Sequence, residues 1–377
     1  MFAKRYQTRL TIQKQAGLYR NPPEVGRREG KYLLMGGEKV LNFASNDYLG
    51  LSQSEELSRR AAENFIKYGT SSSSSRLVSG NYSVINEAEK AYAAYFGYDD
   101  ALFFPSGYQA NMAALSTFLE KGDTVIFDKH IHASSVKGMV MSGADFFGYN
   151  HNSLAHLEKR LEPYRNRQVA LLTESLFSMD GDLLDVPGLL DLKERHHFLT
   201  VVDEAHAFGA IGRGGRGIAG DVADIAVGTL GKAFGLFGAF VLLPQGFKEY
   251  LFNFASPLIY TTTLPEAHAA TAINALEIIA ASEDRRNHLA AVSAFMKERL
   301  IGQGFRVSGD AHILALEIGE EAKAVEVTRR LLSNNIFVLP ARYPTVPLHR
   351  AILRIGMTSL HEEEDVTLFI KHLKGAL

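Results

Sequence analysis

The chain has 377 residues, enough for a large α/β domain with smaller elements and far more than a minimal binding module needs. Its 40 Lys and Arg residues nearly balance 42 Asp and Glu residues, so the formal charge of -2 provides no global field to attract nucleic acid or an anionic membrane. The absence of cysteine excludes disulfide frameworks, thiolate nucleophiles and cysteine-based zinc or iron–sulfur sites, and it is compatible with a reducing cytoplasm.

The N-terminal stretch MFAKRYQTRLTIQKQ is basic but lacks the apolar core of a secretory signal. No later stretch approaches the length of a membrane span, so we expect a cytoplasmic protein outside the membrane. An organellar transit peptide is the alternative interpretation of this basic start. A surface helix of a bacterial protein is the preferred one.

Further along the chain, short apolar runs alternate with segments of helical length and amphipathic spacing. Continuous apolar runs are typical of strands buried on both faces of a mainly parallel sheet. The alternation therefore predicts a doubly wound α/β core. The runs begin at Ala101, Thr124, Val169, Leu199 and Ile225, and the helical segments include 153–164 and 186–196.

After about Ser282 the pattern changes to a long polar helix followed by shorter strand-like and helical pieces. We interpret this change as the start of a separate domain. The predicted division is an N-terminal segment over 1–45, a large α/β domain over 46–282 and a smaller C-terminal α+β domain over 283–377.

Several candidate ligand-binding residues lie at the ends of the predicted strands or shortly after them. Ligands of open α/β sheets bind beyond the carboxyl ends of the strands. Loops from scattered positions are therefore expected to converge on one edge and form a single large active site. The residues in question are Ser106, Gly107, His132, Phe177, Ser178, Asp203 and Thr229.

In the segment VVDEAH, a buried strand ends at Asp203, and His206 follows three residues later. A carboxylate at the end of an apolar strand needs a cationic or hydrogen-bonded partner, because burying it unpaired is costly. The protonated nitrogen of a pyridine ring would be such a partner. Asp203 would keep that nitrogen protonated, so that the ring can act as an electron sink, and His206 would reach the hydroxyl group of the ring. A structural Asp–His pair or a metal site is the alternative interpretation.

The segment GTLGKAFG surrounds Lys232 with small residues directly after a strand. A nucleophilic lysine must be partly desolvated, and flanking glycines such as Gly231 and Gly235 would let a flat cofactor approach the backbone. A solvated surface lysine is the ordinary alternative. Together with VVDEAH, however, the motif predicts pyridoxal 5′-phosphate bound to Lys232 as a Schiff base.

Two further segments supply candidate cofactor contacts. PSGYQAN places Gly107 and Tyr108 between a strand and a probable helix, where backbone N–H groups can hold a phosphate. DKHIHASS places His132 where its ring could stack on the cofactor. His130 and His132 could instead bind a metal, but no third ligand of matching spacing follows, and we predict no metal site.

ESLFSMDGD contributes Ser178, which could hydrogen-bond the cofactor hydroxyl. A serine hydrolase built from Ser178, His206 and Asp203 is the rival interpretation. No G-x-S-x-G elbow surrounds any serine, which counts against the hydrolase.

Taken together, these motifs resemble those of the α-oxoamine synthases, a branch of the fold-type I pyridoxal phosphate enzymes. The resemblance covers most of the chain and implies a large, mainly parallel doubly wound sheet domain with a smaller C-terminal α+β domain. The matching segments are SNDYLG from Ser45, SRLVSGN from Ser75, PSGYQAN, HAS, FSMDGD, VDEAH, GTLGKAFG and PTVP from Pro344.

The resemblance implies roles for the catalytic residues. Lys232 would hold the cofactor and move the α-proton of the substrate, Asp203 would pair with the ring nitrogen, and His132 would stack on the ring. His206 and Ser178 would bind the phenolic oxygen.

Other cofactor contacts follow from the same resemblance. Gly107, Tyr108 and Thr229 match cofactor-contacting positions, and Thr262 or Thr263 matches a segment that reaches the phosphate of the neighbouring subunit. We therefore expect a homodimer with shared active sites.

Members of the family condense an amino acid with an acyl thioester and release carbon dioxide. ARYPTVP followed by AILRI is most similar to the members that join L-alanine to a pimeloyl thioester, carried by coenzyme A or an acyl carrier protein. Arg354 then matches the arginine that holds the amino acid carboxylate, a task that suits guanidinium geometry. Thr345 and Arg20 match substrate-contacting positions.

The alternatives within the family are glycine acetyltransferase, 5-aminolevulinate synthase and serine palmitoyltransferase activities. A catalytically silent partner subunit is an alternative of another class. The chain also departs from the family pattern near the expected acyl site. Serines occupy 71–75 where glycines are usual, Tyr82 and Ile85 stand where histidines are frequent, and Glu266 replaces a proline.

Overall fold

The computed structural model describes residues 2–165 and 167–377. Within these ranges the α-helices, in chain order, are α1 Phe2–Gln15, α2 Glu55–Tyr68, α3 Ser83–Phe96, α4 Gly107–Phe118, α5 Ala133–Ser142, α6 Leu154–Leu161, α7 Val186–His196, α8 Phe247–Phe254, α9 Ser256–Ile259, α10 Glu266–Ala280, α11 Glu283–Gly302, α12 Glu321–Leu332 and α13 Glu363–Ala376.

The strands of the same ranges are β1 Arg27–Glu29, β2 Tyr32–Met35, β3 Glu38–Asn42, β4 Asp100–Phe104, β5 Thr124–Asp128, β6 Asp145–Tyr149, β7 Val169–Glu174, β8 Leu199–Asp203, β9 Ile225–Thr229, β10 Ala239–Leu243, β11 Val307–Ser308, β12 Ile313–Gly319, β13 Ile336–Phe337, β14 Leu339–Ala341 and β15 Ala351–Gly356.

The chain divides into two compact units. The sheet unit contains Asn46–Ser178 and Leu183–Arg286, and the terminal unit contains Met1–Ser45, Met179–Asp182 and Asn287–Leu377. The first and last parts of the sequence thus belong to one compact unit. The division at 45 and 282 that the sequence suggests remains a prediction.

A mixed sheet forms the centre of the sheet unit. Its strands, counted over the described residues, lie in the order β4-β10-β9-β8-β7-β5-β6. Neighbours from β9 to β6 run parallel, whereas β10 is antiparallel to both β4 and β9. This arrangement confirms the predicted mainly parallel α/β sheet, including every strand that the apolar runs indicated.

The apolar residues of the central strands explain why the sheet is covered. Val169–Glu174 is buried along its whole length, and so is Ala239–Leu243. Residues from α4 and α5 pack with the strands into one hydrophobic core, which includes Ala110, Leu115 and Met139. Burial on both faces is the reason that these strands lack the alternation of a half-exposed sheet.

The terminal unit contains two smaller sheets within the described chain, ordered β1-β2-β3-β13 and β11-β12-β15-β14. β3 and β13 pair in parallel, so the N-terminal segment is joined to the C-terminal part by main-chain hydrogen bonds. Helix α1 has no buried residue among those described and carries cations without an acid. Across residues 2–165 and 167–377, no helix is both long and apolar enough to cross a membrane.

Candidate active site

A cavity of about 190 Å³ lies in the sheet unit, where β7, β8 and β9 end. Its position agrees with the rule that ligands bind beyond the carboxyl ends of parallel strands. The cavity brings together most of the predicted catalytic and cofactor-binding residues. Its lining consists of Gly107, Tyr108, Asn111, His132, Ser134, Glu174, Asp203, Ala205, His206, Val227, Thr229 and Lys232.

Asp203 is held as a hydrogen-bond acceptor at the end of β8. The side-chain amide of Asn111 donates to its Oδ2 at 2.8 Å, and the backbone N–H of Ala205 donates to its Oδ1 at 2.9 Å. These two hydrogen bonds fix the orientation of the carboxyl group. The side chain can thus present negative charge to a cationic group in the cavity.

The N-terminus of α4 supplies backbone donors to the same cavity. Ser106 caps the helix, its Oγ accepting a hydrogen bond from the Gln109 N–H at 3.3 Å. Gly107 and Tyr108, which follow the cap, line the cavity. Helix N-termini favour anions because their first N–H groups have no partner within the helix.

His132 is the N-cap of α5, and its Nδ1 lies 2.7 Å from the Ser134 hydroxyl. The Asn111 amide donates to that hydroxyl at 3.0 Å and also to Asp203, so one chain of hydrogen bonds joins the imidazole to the carboxylate. Desolvation lowers the pKa of His132, partly opposed by Asp203 and reinforced by Lys232. A neutral ring at physiological pH is suited to stacking on a flat ligand.

Lys232 is half-buried on the turn between β9 and β10 and lines the cavity. The turn is closed by hydrogen bonds from the Gly235 N–H to the Lys232 carbonyl at 2.9 Å and from the Leu236 N–H to the Leu230 carbonyl at 2.8 Å. Gly235 has φ +67°, and a Cβ there would lie 2.4 Å from the backbone nitrogen of Ser52. Its glycine is therefore required by chain packing, and its role in the close approach of a cofactor remains a prediction.

Three polar cavity residues were missed by the sequence analysis. Asn111 and Ser134 link Asp203 to His132, and Glu174 ends β7 beside Asp203. The carboxyl of Glu174 is buried, and its Oε1 has no hydrogen-bond partner among the described residues. The sequence contains a signal for Glu174, because a charged residue there ends an otherwise apolar strand.

A tyrosine of the SNDYLG segment orients His206. The Tyr48 hydroxyl lies 2.6 Å from His206 Nδ1, and both side chains are buried. The sequence analysis used this segment only to support the family resemblance. In the structure it positions one of the cavity-lining imidazoles.

Three predicted cofactor contacts lie outside the cavity lining. Ser178 donates its backbone N–H to the Glu174 carboxyl. Thr262 is exposed, whereas Thr263 is buried and donates its N–H to the Ser74 carbonyl at 3.0 Å. Their predicted roles toward a cofactor remain predictions.

The predicted substrate contacts belong to the terminal unit. Arg354 lies on β15 and is 3% exposed. Arg20 and Thr345 are exposed and lie outside the helices and strands. Their roles toward a substrate also remain predictions.

The serine run forms an ordered loop in the sheet unit. The Ser72 side chain is buried and donates to the Thr263 carbonyl at 2.8 Å. Ser73 adopts φ 51°, a left-handed conformation that is unfavourable for a side chain with a Cβ. One serine therefore takes up a conformation that glycine adopts without strain. Another joins the loop to the threonine segment, which contains Thr262 and Thr263.

The family model of aminotransferase class I and II matches residues 38–373. The chain belongs to this family. A putative 8-amino-7-oxononanoate synthase of Bacillus cereus is 37% identical over 375 residues, which cover 97% of this chain and 95% of the relative.

Solved structures of the family have the same fold. The 8-amino-7-oxononanoate synthase of Francisella tularensis superposes with a TM-score of 0.77 at 31% identity, covering 89% of this chain and 97% of that one. A serine palmitoyltransferase described with its PLP internal aldimine superposes with a TM-score of 0.92 at 25% identity, covering 98% and 96%. These relatives are α-oxoamine synthases, and the predicted family and fold type are thereby confirmed.

The chain is a pyridoxal phosphate-dependent acyltransferase of the aminotransferase class I and II family. The groups around the cavity fit that cofactor: an amine on Lys232, an acceptor on Asp203, and helix N–H groups at Gly107 and Tyr108. Oε1 of Glu174, which has no partner in the described part of the chain, is a further polar atom that a ligand in this cavity can satisfy.

Proposed function

We propose that this protein joins L-alanine to a pimeloyl thioester with loss of carbon dioxide, giving 8-amino-7-oxononanoate for biotin synthesis. The observation that carries the proposal is 37% identity, over nearly the whole of both chains, to a putative 8-amino-7-oxononanoate synthase. The acyl carrier in this proposal is coenzyme A or an acyl carrier protein.

The proposed chemistry assigns roles to the cavity residues. Pyridoxal phosphate, when bound, supplies an electron sink that stabilises negative charge at the α-carbon of an amino acid. Lys232 holds the cofactor through Nζ and moves the α-proton, and Asp203 keeps the ring nitrogen protonated. His132 covers one ring face, whereas His206, oriented by Tyr48, donates toward the phenolic oxygen.

The remaining cofactor contacts are proposed at the edges of the cavity. The α4 N-terminus at Gly107 and Tyr108, together with Thr229, would hold the phosphate side of the cofactor. Ser178 is assigned to the phenolic oxygen, and Thr262 or Thr263 to the phosphate of a neighbouring subunit.

For the amino acid, we propose that Arg354 binds the carboxylate, with Thr345 and Arg20 contributing to substrate binding. Arg354 is buried on a strand of the terminal unit. The planar, forked donors of a guanidinium are well suited to bidentate binding of a carboxylate.

We also propose a homodimer in the cytoplasm, with the cofactor phosphate held partly by the neighbouring subunit. Tyr260 is 81% exposed, and Leu77 and Val78 are 70% and 80% exposed. These apolar side chains belong to two loops that are hydrogen-bonded to each other through Thr263 and Ser74. Exposed apolar residues grouped in this way favour burial against a second copy.

Serine palmitoyltransferase activity is the second candidate. It is favoured by the TM-score of 0.92 with the solved serine palmitoyltransferase, against 0.77 for the solved 8-amino-7-oxononanoate synthase. Sequence identity favours the first candidate, at 31% and 37% against 25%. The two candidates differ in both amino acid and acyl chain, so one experiment separates them.

That experiment supplies the pyridoxal phosphate-loaded enzyme with alanine, glycine or serine, each combined with pimeloyl-CoA, pimeloyl acyl carrier protein, acetyl-CoA, succinyl-CoA or palmitoyl-CoA. Products are identified by mass. We expect 8-amino-7-oxononanoate from alanine and a pimeloyl thioester at a rate far above any other pair. Turnover of serine with palmitoyl-CoA, or of glycine in place of alanine, would overturn the proposal.

A further inference from the structure

Glu174 is a buried carboxyl group for which the proposed chemistry has no role. It is the last residue of β7, it lines the cavity, and its residue exposure is 2%. In the register of the parallel strands it is paired with Asp203, the last residue of β8. Paired residues of neighbouring parallel strands project to the same face of a sheet, so the two carboxyls are neighbours.

The two oxygens of Glu174 differ in their surroundings. The carboxyl accepts hydrogen bonds from the backbone N–H groups of His132 and Ser178. Oε1 is fully buried and has no partner among residues 2–165 and 167–377. A buried polar atom without a partner is costly, unless a ligand satisfies it.

The proton of this carboxyl pair is best placed on Glu174. Both oxygens of Asp203 already accept hydrogen bonds, Oδ2 from the Asn111 amide and Oδ1 from the Ala205 N–H. Two adjacent carboxylates do not both ionise readily in a desolvated site. Burial raises the pKa of Glu174 well above its usual range, and Asp203 raises it further, whereas Lys232 and the two backbone N–H groups lower it.

We propose that Glu174 is a neutral carboxylic acid whose Oε1 hydrogen is donated to the phenolic oxygen of the bound pyridoxal phosphate. This inference rests on the cofactor and is independent of the amino acid and acyl donor of the proposed function. The phenolic oxygen follows from the position of Glu174 beside Asp203 and within electrostatic reach of Lys232. Asp203 is assigned to the ring nitrogen, Lys232 to the aldehyde carbon and the N-terminus of α4 to the phosphate. The phenolic oxygen is the polar group of the cofactor that remains on the side of Glu174.

The role of Glu174 is therefore to supply a hydrogen-bond donor without adding a second negative charge beside Asp203. A carboxylate at this position would repel the phenolic oxygen, whereas a carboxylic acid or an amide donates to it. This difference separates the two possible protonation states experimentally.

The first test titrates apoprotein with pyridoxal phosphate and follows the visible absorbance of the cofactor. We expect Glu174→Gln, which retains a donor, to bind within about threefold of wild type. Glu174→Leu, which lacks one, should bind about tenfold more weakly. Equal weakening in both variants would show that a carboxylate is needed, and wild-type affinity in both would show no contact; either result overturns the proposal.

A matched control is Glu204→Gln. Glu204 is also a buried carboxyl, but it is hydrogen-bonded to the Ser175 hydroxyl and the Ala219 N–H and lies outside the cavity lining. We expect wild-type cofactor affinity from this variant. Thermal unfolding of each apoprotein identifies any variant that fails to fold.

The second test begins with the wild-type protein and uses variants only to assign the signal. Infrared spectra at about pH 8 should contain the carbonyl stretch of a protonated carboxyl that shifts when pyridoxal phosphate is added. The pH is chosen because burial raises the pKa of Glu204 to about 7, which leaves that group mostly ionised. Glu174→Gln should lose the band that shifts, and Glu204→Gln should keep it. Absence of the band from the wild-type spectrum would overturn the proposal.

Discussion

At the scale of single residues, Lys232 is the group on which the proposed chemistry depends most. It is half-buried, lines the cavity with Asp203 and His132, and lies on a turn closed by two main-chain hydrogen bonds. Because the turn is held by backbone contacts and by Gly235, removal of the amine should leave its shape unchanged.

We therefore expect Lys232→Ala to fold normally, to lose the visible absorbance of bound pyridoxal phosphate, and to lower the turnover rate by at least about 10³-fold. Lys137→Ala, which removes an exposed lysine of α5, is the control and should keep both properties. Absorbance spectra and circular dichroism provide the measurement. A coloured, active Lys232→Ala protein would contradict the assignment.

A second prediction at this scale concerns His361 of the terminal unit. Its ring is fully buried and stacks on Phe43 with centroids 4.4 Å apart. Its Nδ1 accepts from the Thr358 N–H at 3.2 Å, and its Nε2 lies 3.1 Å from the Asn42 carbonyl, an arrangement that suits the neutral ring. Desolvation lowers the pKa of His361 to about 4.

In the unfolded chain a histidine takes up a proton near its usual pKa of about 6.5, whereas folded His361 does so only near the lowered value. The unfolded state thus binds more protons between these limits. Stability should be unaffected by this group above about pH 6.5 and fall by roughly 3 kcal/mol as the pH drops toward 4. Urea unfolding across this range should show a smaller decline for His361→Gln than for wild type, with His372→Gln as control; equal declines would contradict the prediction.

The sequence predicted the residues whose chemistry is visible in a local motif. Asp203 ends one apolar strand and Lys232 follows closely after another, so their position at the sheet edge could be inferred. Glu174 also ends a strand, but its importance depends on its register with Asp203, 29 positions away in the sequence. The amide of Asn111 reaches that carboxylate from α4, a contact that helix spacing alone does not reveal.

At the scale of elements, a buried ion pair joins the loop after the serine run to α3 and β4. Arg76 and Glu89 are both buried, and Nη1 of the arginine lies 2.6 Å from Oε1 of the glutamate. Glu89 also accepts from the Phe103 N–H at 3.0 Å and lies 3.1 Å from Lys248 Nζ. The pair therefore fixes the loop against the sheet.

Removing one member should be more harmful than removing both. Arg76→Leu leaves a buried carboxylate with fewer partners, and we expect it to lower the free energy of unfolding by about 3–5 kcal/mol. The double variant Arg76→Leu/Glu89→Leu should recover a substantial part of that loss. Urea denaturation of wild type, both single variants and the double variant measures the coupling, and strictly additive effects would contradict it.

The elements also show where sequence patterns were insufficient. The five apolar runs were correctly identified as strands, because full burial leaves a clear signal. β10 is equally apolar, but it follows the lysine turn and pairs antiparallel with both neighbours, so the alternation of strand and helix did not indicate it. β6 lies at the sheet edge, and its exposed residues weaken the pattern.

At the scale of the whole molecule, the proposed homodimer determines whether an active site is complete. The threonine segment and the serine run are bound to each other, and neither lines the cavity of its own chain. If they serve the neighbouring subunit, a dimer with Lys232 replaced in one chain and the threonines replaced in the other carries both defects in the same site. Its second site is then intact.

We predict that Lys232→Ala and Thr262→Val/Thr263→Val are each nearly inactive, and that subunit exchange between them restores activity to about a quarter of wild type. Mixing Lys232→Ala with Asp203→Asn is the control, because each change disables the cavity of its own chain and a mixed dimer then has no intact site. Light scattering and activity after exchange provide the measurement. No recovery above the control would contradict shared sites.

The glycine at 235 has a consequence for exchanging parts between relatives. Its backbone lies so close to Leu51 and Ser52 that the lysine turn is shaped by a segment about 180 positions earlier in the chain. A chimera that receives residues 226–238 from a relative contains the relative's turn but keeps this chain's residues 51 and 52, against which the turn packs. We expect functional chimeras to require exchange of residues 46–53 at the same time, so that these two distant stretches form one unit of recombination.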